Sequence, residues 1–155
     1  MRYVFDTGPF IILFKNYYRS TFVTLWEHFD ALIEAGDIVS TREVFREIEG
    51  QEDNLLTWAK AHRDIFTTPT PEEGAFVARI YAVRHFQGNI EHKKLIRGGN
   101  VADPFVIAKA AVAQVPVVTV EKLLPNAAKV PNICRHFGVP CLSLEEFMQE
   151  EGWRF

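Results

Sequence analysis

Short apolar runs alternate along the chain with longer stretches in which apolar residues recur every three or four positions. The short runs are rich in β-branched and aromatic residues, as buried strands are. They are Tyr3–Phe5, Asp37–Ser40, Ile65–Phe66, Pro116–Val120 and Cys141–Leu142. Because strands that alternate with helices form parallel sheets covered on both faces, the pattern predicts an α/β fold with three α/β/α layers.

The longer stretches have the period of amphipathic helices, and several carry residues that favour helix boundaries. Pro9 falls in the first turn of the first helix, Thr41 can cap the third, and Gly50 can end it. The predicted helices are Pro9–Tyr17, Phe22–Ile33, Thr41–Ile48, Leu55–His62, Glu72–Phe86, Phe105–Val115, Ile133–Phe137 and Leu144–Gln149. Gln87–Asn100 contains three glycines and is predicted to be a loop.

Composition limits the class of protein. The chain has 155 residues, 48% of them hydrophobic, and nothing divides it, so we predict a single domain, 1–155, with a real core. No apolar run approaches the roughly 18 residues of a membrane span. No signal peptide is expected, so we predict a cytoplasmic protein with no membrane partner. The net charge of −3 provides no global basic field for nucleic acid, which would need a local basic patch.

The triplet Asp6-Thr7-Gly8 after the first strand is also the catalytic triplet of aspartic proteases. Those proteases are all-β and need a glycine-rich flap, whereas Pro9 and a helix follow the triplet here. A phospho-receiver domain is a second α/β alternative with an acidic pocket. It requires an aspartate at the end of its third strand, and Asp64 precedes that strand instead. Both classes are disfavoured.

Four acids fall where different segments reach the carboxyl edge of the predicted sheet, which is where open parallel sheets bind ligands. Asp6 ends the first strand, Glu47 lies on the helix after the second, Asp103 opens the buried helix, and Glu121 ends the fourth strand. Each has an ordinary alternative role when taken alone. Asp6 and Asp103 can cap helices, Glu47 can be a solvated charge, and Glu121 can form a loop ion pair.

The choice of Glu47 rests on helical geometry. Val44, Phe45 and Ile48 form the buried stripe of the helix, and Glu47 borders that stripe. Glu43 is expected to point further towards solvent, and the neighbouring Glu49 is a weaker candidate. The choice between Glu43 and Glu47 as the second acid stays open at this point.

Grouped carboxylates repel one another, and a hard divalent cation is the usual remedy. The residues therefore predict a site for Mg²⁺ (or Mn²⁺), which suits hydrolysis of phosphodiesters by a metal-activated water. Thr7 and Thr119 adjoin the acids and can position water by hydrogen bonds. Asn126 and Asn132 are further candidates for a polar ligand. The cations expected to bind substrate phosphates are Arg42, Arg46, Lys93, Lys94, Arg97 and Lys122, although the run around Lys93 is equally explained as a solvated loop.

The order Asp6, Glu47, Asp103, Glu121 resembles the acidic quartet of PIN domains, metal-dependent nucleases that include the VapC-type toxins. The resemblance covers nearly the whole chain. It is carried by "YVFDTGPFI", "STREVFREIEG", "ADPFVIAKA" and "VVTVEK", and the closing "AKVPNICRHFGVPCLSLEEFM" is similar to a less characterised PIN-like group. One position departs from the family, since the fourth acid is usually Asp and is Glu121 here.

The resemblance implies a parallel sheet of strand order 3-2-1-4-5 and a Mg²⁺- or Mn²⁺-dependent endoribonuclease. It also implies the toxin half of a toxin–antitoxin pair, with RNA and a cognate antitoxin as partners and a homodimer as the assembly. The alternative is a PIN-like RNA-binding or scaffold domain that the change at Glu121 has left weak or inactive.

Overall fold

The structure is a computed structural model that describes residues 1–50, 53–96 and 101–155. The strands are β1 (Tyr3–Phe5), β2 (Ile38–Thr41), β3 (Phe66–Thr67), β4 (Val117–Val118) and β5 (Cys141–Leu142). The helices are α1 (Thr7–Asn16), α2 (Val23–Glu34), α3 (Arg42–Ile48), α4 (Asn54–Ala61), α5 (Pro71–Tyr81), α6 (Arg84–Ile96), α7 (Asp103–Ala113), α8 (Val130–Phe137) and α9 (Leu144–Glu150). A 3₁₀ turn, Arg63–Ile65, precedes β3.

The five strands form one parallel sheet in the order β3-β2-β1-β4-β5, which confirms the predicted order 3-2-1-4-5. β1 lies at the centre, where Val4 pairs with Val39 of β2 and with Val117 of β4. Parallel neighbours need crossover connections, and the helices supply them on both faces. The predicted three-layer α/β/α fold is therefore confirmed. All the strands end at one edge of the sheet, where Asp6 follows β1 and Thr119 follows β4.

An aromatic cluster joins the sheet to the helices on one of its faces. The ring of Phe5 in β1 lies 5.3 Å from that of Phe10 in α1, 6.4 Å from Phe29 in α2 and 5.0 Å from Phe147 in α9. On the opposite face α7 packs against β1, β2 and β4 and is itself covered by α5 and α8. A helix enclosed in this way can be apolar on nearly all sides, which explains why α7 is so hydrophobic.

Two predictions between residues 72 and 100 are wrong. The single helix predicted for Glu72–Phe86 is divided into α5 and α6, and α6 continues through most of the predicted loop to Ile96. Residues 97–100 lie outside the described residues. Phe86 and Ile90 are buried one helical turn apart, and Phe86 packs 6.3 Å from Phe137 of α8. Burial of these two side chains, worth about 1.5–3 kcal/mol each, outweighs the preference of Gly88 against helix, which is only about 1 kcal/mol.

The two cysteines are free thiols. A hydrogen bond with Cys141, together with burial, raises the pKa of Cys134, which keeps that thiol protonated. Among the described residues, no helix is both long enough and apolar enough to cross a membrane.

Candidate acidic site

The four predicted acids line one cavity of about 510 Å³ at the carboxyl edge of the sheet. Asp6, Glu47, Asp103 and Glu121 reach it from β1, α3, α7 and the segment after β4. Thr7 and Arg46 also line this cavity. The structure therefore brings together residues that are up to 115 positions apart in the sequence, as the parallel arrangement predicts.

Asp6 occupies the centre of a hydrogen-bond network. Its backbone is the N-cap of α1, and its Oδ1 accepts a hydrogen bond from the Thr7 amide at 2.9 Å. Its Oδ2 accepts from the Thr119 hydroxyl at 3.0 Å, and the Thr119 oxygen in turn accepts from the Glu121 amide at 3.2 Å. Asp6 therefore caps α1 and also belongs to the acid group, which is the set of four carboxylates Asp6, Glu47, Asp103 and Glu121. Thr119 ties the first acid to the segment that carries the fourth.

Burial and the negative charges of Asp103, Glu121 and Glu47 raise the pKa of Asp6 to about 8, although the hydrogen bond from the Thr7 amide acts to lower it. Burial is the largest cause, and Asp103 is the largest of the three charges. The direction shows that an ionised Asp6 is poorly neutralised by the protein itself. A pKa so perturbed in a cavity is typical of functional sites.

The exposures of Glu43 and Glu47 are the reverse of what the helix pattern predicts, since Glu43 is the more buried of the two. Glu43 is buried, with 4% of its surface exposed, and its carboxylate pairs with Arg42 at 2.9 Å, so the expectation that it points towards solvent is wrong. The helix α3 packs against β3 and α4 as well as α1, so more of its surface is covered than its own pattern indicates. Glu47 is partly exposed and lines the cavity, where its Oε1 accepts from the Thr7 hydroxyl at 2.9 Å. The cavity geometry therefore favours Glu47 as the second acid.

Asp103 is not the N-cap of α7. Ala102 holds that position, and Asp103 is the first helical residue, with 2% of its surface exposed. Its Oδ2 accepts a hydrogen bond from the ammonium of Lys93. The structure replaces the proposed capping role of Asp103 with an ion pair at the cavity.

Glu121 binds through both of its carboxylate oxygens. Oε2 accepts from the amide of Val130, the first residue of α8, at 2.7 Å, and Oε1 lies 3.4 Å from the Lys93 ammonium. A negative charge at this helix N-terminus is favourable because the first amides of a helix lack intrahelical partners. The longer side chain of Glu, compared with Asp, reaches both of these partners.

Gly8 allows the turn after β1 to approach the end of β4. A Cβ atom at this position would collide with the side chain of Val120. Val120 lines the cavity and lies between Thr119 and Glu121 in the sequence. Val120 is β-branched and has little rotational freedom. The glycine of the Asp-Thr-Gly triplet thus serves close packing of the two acid-bearing segments.

The carboxylates supply the hard oxygen ligands that Mg²⁺ and Mn²⁺ prefer. Within the described ranges, no three side chains of His, Cys, Asp or Glu already lie in the arrangement of a metal site. Glu47 accepts a hydrogen bond from Thr7, Asp103 pairs with Lys93, and Glu121 accepts from the Val130 amide. The donor chemistry and the raised pKa of Asp6 nevertheless fit a divalent cation.

One family model, described as a domain of unknown function (DUF4411), matches residues 3–155. The chain belongs to the DUF4411 family. No curated protein matches the sequence. The match covers the segments of all four acids, so the cavity lies wholly within the DUF4411 domain.

The cations of this DUF4411 chain are distributed unevenly around the cavity. Arg46 is exposed and lines the cavity, whereas Arg42 forms an ion pair with Glu43. Lys122 is exposed and lines a neighbouring cavity, and Lys94 is partly buried on α6. The prediction for Arg97 lies outside the described residues.

Lys93 does not lie on a solvated loop in this DUF4411 chain, because it belongs to α6 and pairs with two of the acids. Neither asparagine supports the predicted role of polar ligand. The side chain of Asn132 bonds to both backbone groups of Leu124, and Asn126 is an exposed residue with a left-handed φ of 58°. The pairing of Lys93 was missed because the glycines around it predicted a loop.

Proposed function

We propose that this chain is an endoribonuclease that hydrolyses RNA phosphodiester bonds with Mg²⁺ or Mn²⁺. The observation that carries the proposal is the convergence of four carboxylates on one cavity, with the pKa of Asp6 raised to about 8 by burial and by the other three acids. Phosphodiester hydrolysis suits such a site because the attacking and leaving oxygens both need charge compensation.

Asp6 and Glu47 are the residues that would hold the cation, with Asp103 and Glu121 beside them in the same cavity. When bound, the cation neutralises the carboxylates, polarises a phosphate oxygen and lowers the pKa of water. Thr7 and Thr119 fix the orientation of Glu47 and Asp6 through hydrogen bonds of 2.9 and 3.0 Å. Outer contacts of this kind support the ligands and their basicity.

Arg46 lines the cavity and is exposed, so it is placed to bind a substrate phosphate. Lys94 and Lys122 extend the same role along the neighbouring surface. Contacts of this kind position the RNA backbone and make its affinity dependent on salt, without selecting a sequence.

We further propose that the protein is the cytoplasmic toxin of a toxin–antitoxin pair and acts as a homodimer. The resemblance of its acidic quartet to VapC-type toxins supports the first part. Exposed apolar side chains around the start of α2 support the second, since Tyr18 and Val23 are 62% and 51% exposed. Such side chains favour contact with another protein surface.

A second candidate function is RNA binding without cleavage. The pairing of Lys93 with Asp103 and Glu121 favours it, because an internal cation already compensates part of the acid group. The two functions differ in whether a divalent cation converts bound RNA into shorter products.

The central test is RNA cleavage by the purified protein over a broad RNA panel. We expect products with Mg²⁺ or Mn²⁺ and none in EDTA, because the acids otherwise lack sufficient positive charge. Gel electrophoresis with and without the metal measures the effect. Equal cleavage in EDTA would remove the metal mechanism, and RNA binding without cleavage under every metal condition would favour the second candidate.

The identity of the second acid gives a separate prediction. Glu47→Gln keeps the side-chain shape but removes a charge from the cavity, so we expect RNA cleavage to fall about 10- to 100-fold. Glu49→Gln is the matched control, because Glu49 is exposed and follows the same helix. Initial rates at saturating Mg²⁺ measure both variants. Equal rates for the two would place the second acid elsewhere.

A further inference from the structure

The acid group contains a resident cation. Lys93 extends from α6 into the space between the α7 N-terminus and the segment after β4, and its side chain is only 15% exposed. Its ammonium hydrogen-bonds Asp103 Oδ2 and lies 3.4 Å from Glu121 Oε1. Because ammonium groups are strongly hydrated, a lysine withdrawn from water in this way needs the compensation that two carboxylates provide.

The contacts divide the acids into two pairs. Asp6 and Glu47 receive hydrogen bonds from neutral hydroxyl groups, those of Thr119 and Thr7. Asp103 and Glu121 instead share the positive charge of Lys93. Between described residues, the ion pairs of the acid group are therefore those of Lys93 with Asp103 and Glu121.

Glu121 has little freedom to turn towards a further cation. One of its oxygens faces Lys93, and the other holds the first amide of α8 at 2.7 Å. A divalent ion between Asp103 and Glu121 would have to displace Lys93 and leave its ammonium without these two partners. Displacement of Lys93 would also leave its ammonium close to the positively charged ion, and repulsion between the two is unfavourable in a partly buried site.

We propose that the Lys93 ammonium serves as the permanent positive charge of the Asp103–Glu121 pair, so that the protein binds one divalent cation, on the Asp6–Glu47 side, rather than two. This inference rests on the proposed metal-dependent function and specifies its stoichiometry. Lys93 is then a positioning residue that fixes Asp103 and Glu121. This arrangement also accounts for Glu at the position of the fourth acid, because the side chain of Glu121 contacts both Lys93 and the Val130 amide.

The test is the stoichiometry of Mn²⁺ binding to the full chain, measured by electron paramagnetic resonance of free Mn²⁺ at constant ionic strength. We expect one bound ion in the wild type and two in Lys93→Met, which keeps the apolar stem but removes the charge. The affinity for the first ion should also rise at least about tenfold, because a nearby positive charge has gone. Two ions in the wild type, or one in Lys93→Met with unchanged affinity, would overturn the proposal.

Two controls separate charge from other effects. Lys94→Met removes the same charge from the next position of α6, about 100° further round the helix, and should leave one ion with unchanged affinity. Lys93→Arg retains the charge and should also bind one ion. A second ion in either control would contradict the specific role of the Lys93 ammonium.

A measurement on the unaltered protein keeps the proposal testable if Lys93→Met does not fold. Acetylation of lysines by acetic anhydride, read by mass spectrometry, should be slow at Lys93 relative to Lys94 both with and without Mg²⁺. A rise of Lys93 reactivity to that of Lys94 on addition of Mg²⁺ would mean that the metal displaces it, and would overturn the proposal.

The outcomes distinguish this inference from the proposed function. One ion in the wild type and two in Lys93→Met, without RNA cleavage, would support the inference and overturn the proposed activity alone. RNA cleavage with two ions in the wild type would do the opposite. No Mn²⁺ bound to either protein would overturn both.

Discussion

Asp6→Asn is expected to abolish metal-dependent RNA cleavage while making the metal-free protein more stable. Loss of the central carboxylate should lower the cleavage rate at least about 100-fold, the usual scale for one electrostatic contact to the reacting group. The hydrogen bonds survive, since Asn is as good an N-cap as Asp and the Thr119 oxygen can accept from its amide. The change therefore removes charge and preserves the fold.

The gain in stability follows from the pKa of Asp6, which is about 8 in the fold against 3.8 for an unperturbed aspartate. A carboxyl group whose pKa is raised by folding contributes most when it is protonated, so the stability of the metal-free wild type falls as the pH rises from about 4 to about 8. Asp6→Asn lacks this loss. At pH 8 in EDTA we expect its free energy of unfolding to be at least about 1 kcal/mol higher, or about 2–4 °C in melting temperature.

Thermal melts in EDTA and in excess Mg²⁺, beside RNA cleavage assays, measure both effects. Mg²⁺ should raise the melting temperature of the wild type by preferential binding to the folded state and raise that of Asp6→Asn much less. Asp64→Asn is the matched control, because Asp64 is exposed in the turn before β3 and should change neither property. A lower melting temperature for Asp6→Asn than for Asp64→Asn in EDTA would refute the electrostatic account.

Phe5→Ala is expected to destabilise the protein by about 3–5 kcal/mol, the usual range for truncating a fully buried aromatic residue. Phe5 is fully buried in the central strand, and its ring contacts those of Phe10, Phe29 and Phe147. The cavity left by the ring lies where one strand meets three helices, so no single movement can fill it. Because a domain has only about 5–15 kcal/mol of stability, this one change removes a large part of it.

Urea unfolding followed by circular dichroism measures the loss as a lower midpoint at unchanged slope. Phe155→Ala is the control, because Phe155 is 67% exposed at the C-terminus and its truncation should cost less than about 1 kcal/mol. Similar midpoints for the two variants would show that Phe5 is not at the centre of the core.

The fold was accessible from the sequence because strand and helix have different hydrophobic periods. Short apolar runs marked β1 and β2 closely, and the sheet order agreed with the expectation from the acidic quartet. The prediction failed at α6, where Gly88 suggested a loop although Phe86 and Ile90 form a buried stripe. Local preference is weak, and packing against α8 decided the conformation of this segment.

In the candidate site too, some features could be predicted from the sequence and others could not. Asp6, Glu47, Asp103 and Glu121 could be selected in advance because parallel strands end at one edge, and the cavity brings all four together. The relative burial of Glu43 and Glu47 could not be predicted from the sequence, because it depends on which elements cover α3. The partners of Asp103 and Glu121 were also hidden, since Lys93 is 10 and 28 positions away from them.

The sequence by itself therefore determined the layered α/β architecture and the four acids at the edge of its sheet. These follow from periodicity and from the geometry that every parallel sheet shares. The central place of β1 was implied only by the resemblance to PIN domains. Only the tertiary structure decided that Asp103 is an ion-pair partner rather than a cap, that Glu121 anchors α8, and that Lys93 lies within the acid group. The physical reason is that charge pairing and burial depend on distances between segments, which the order of residues along the chain does not specify.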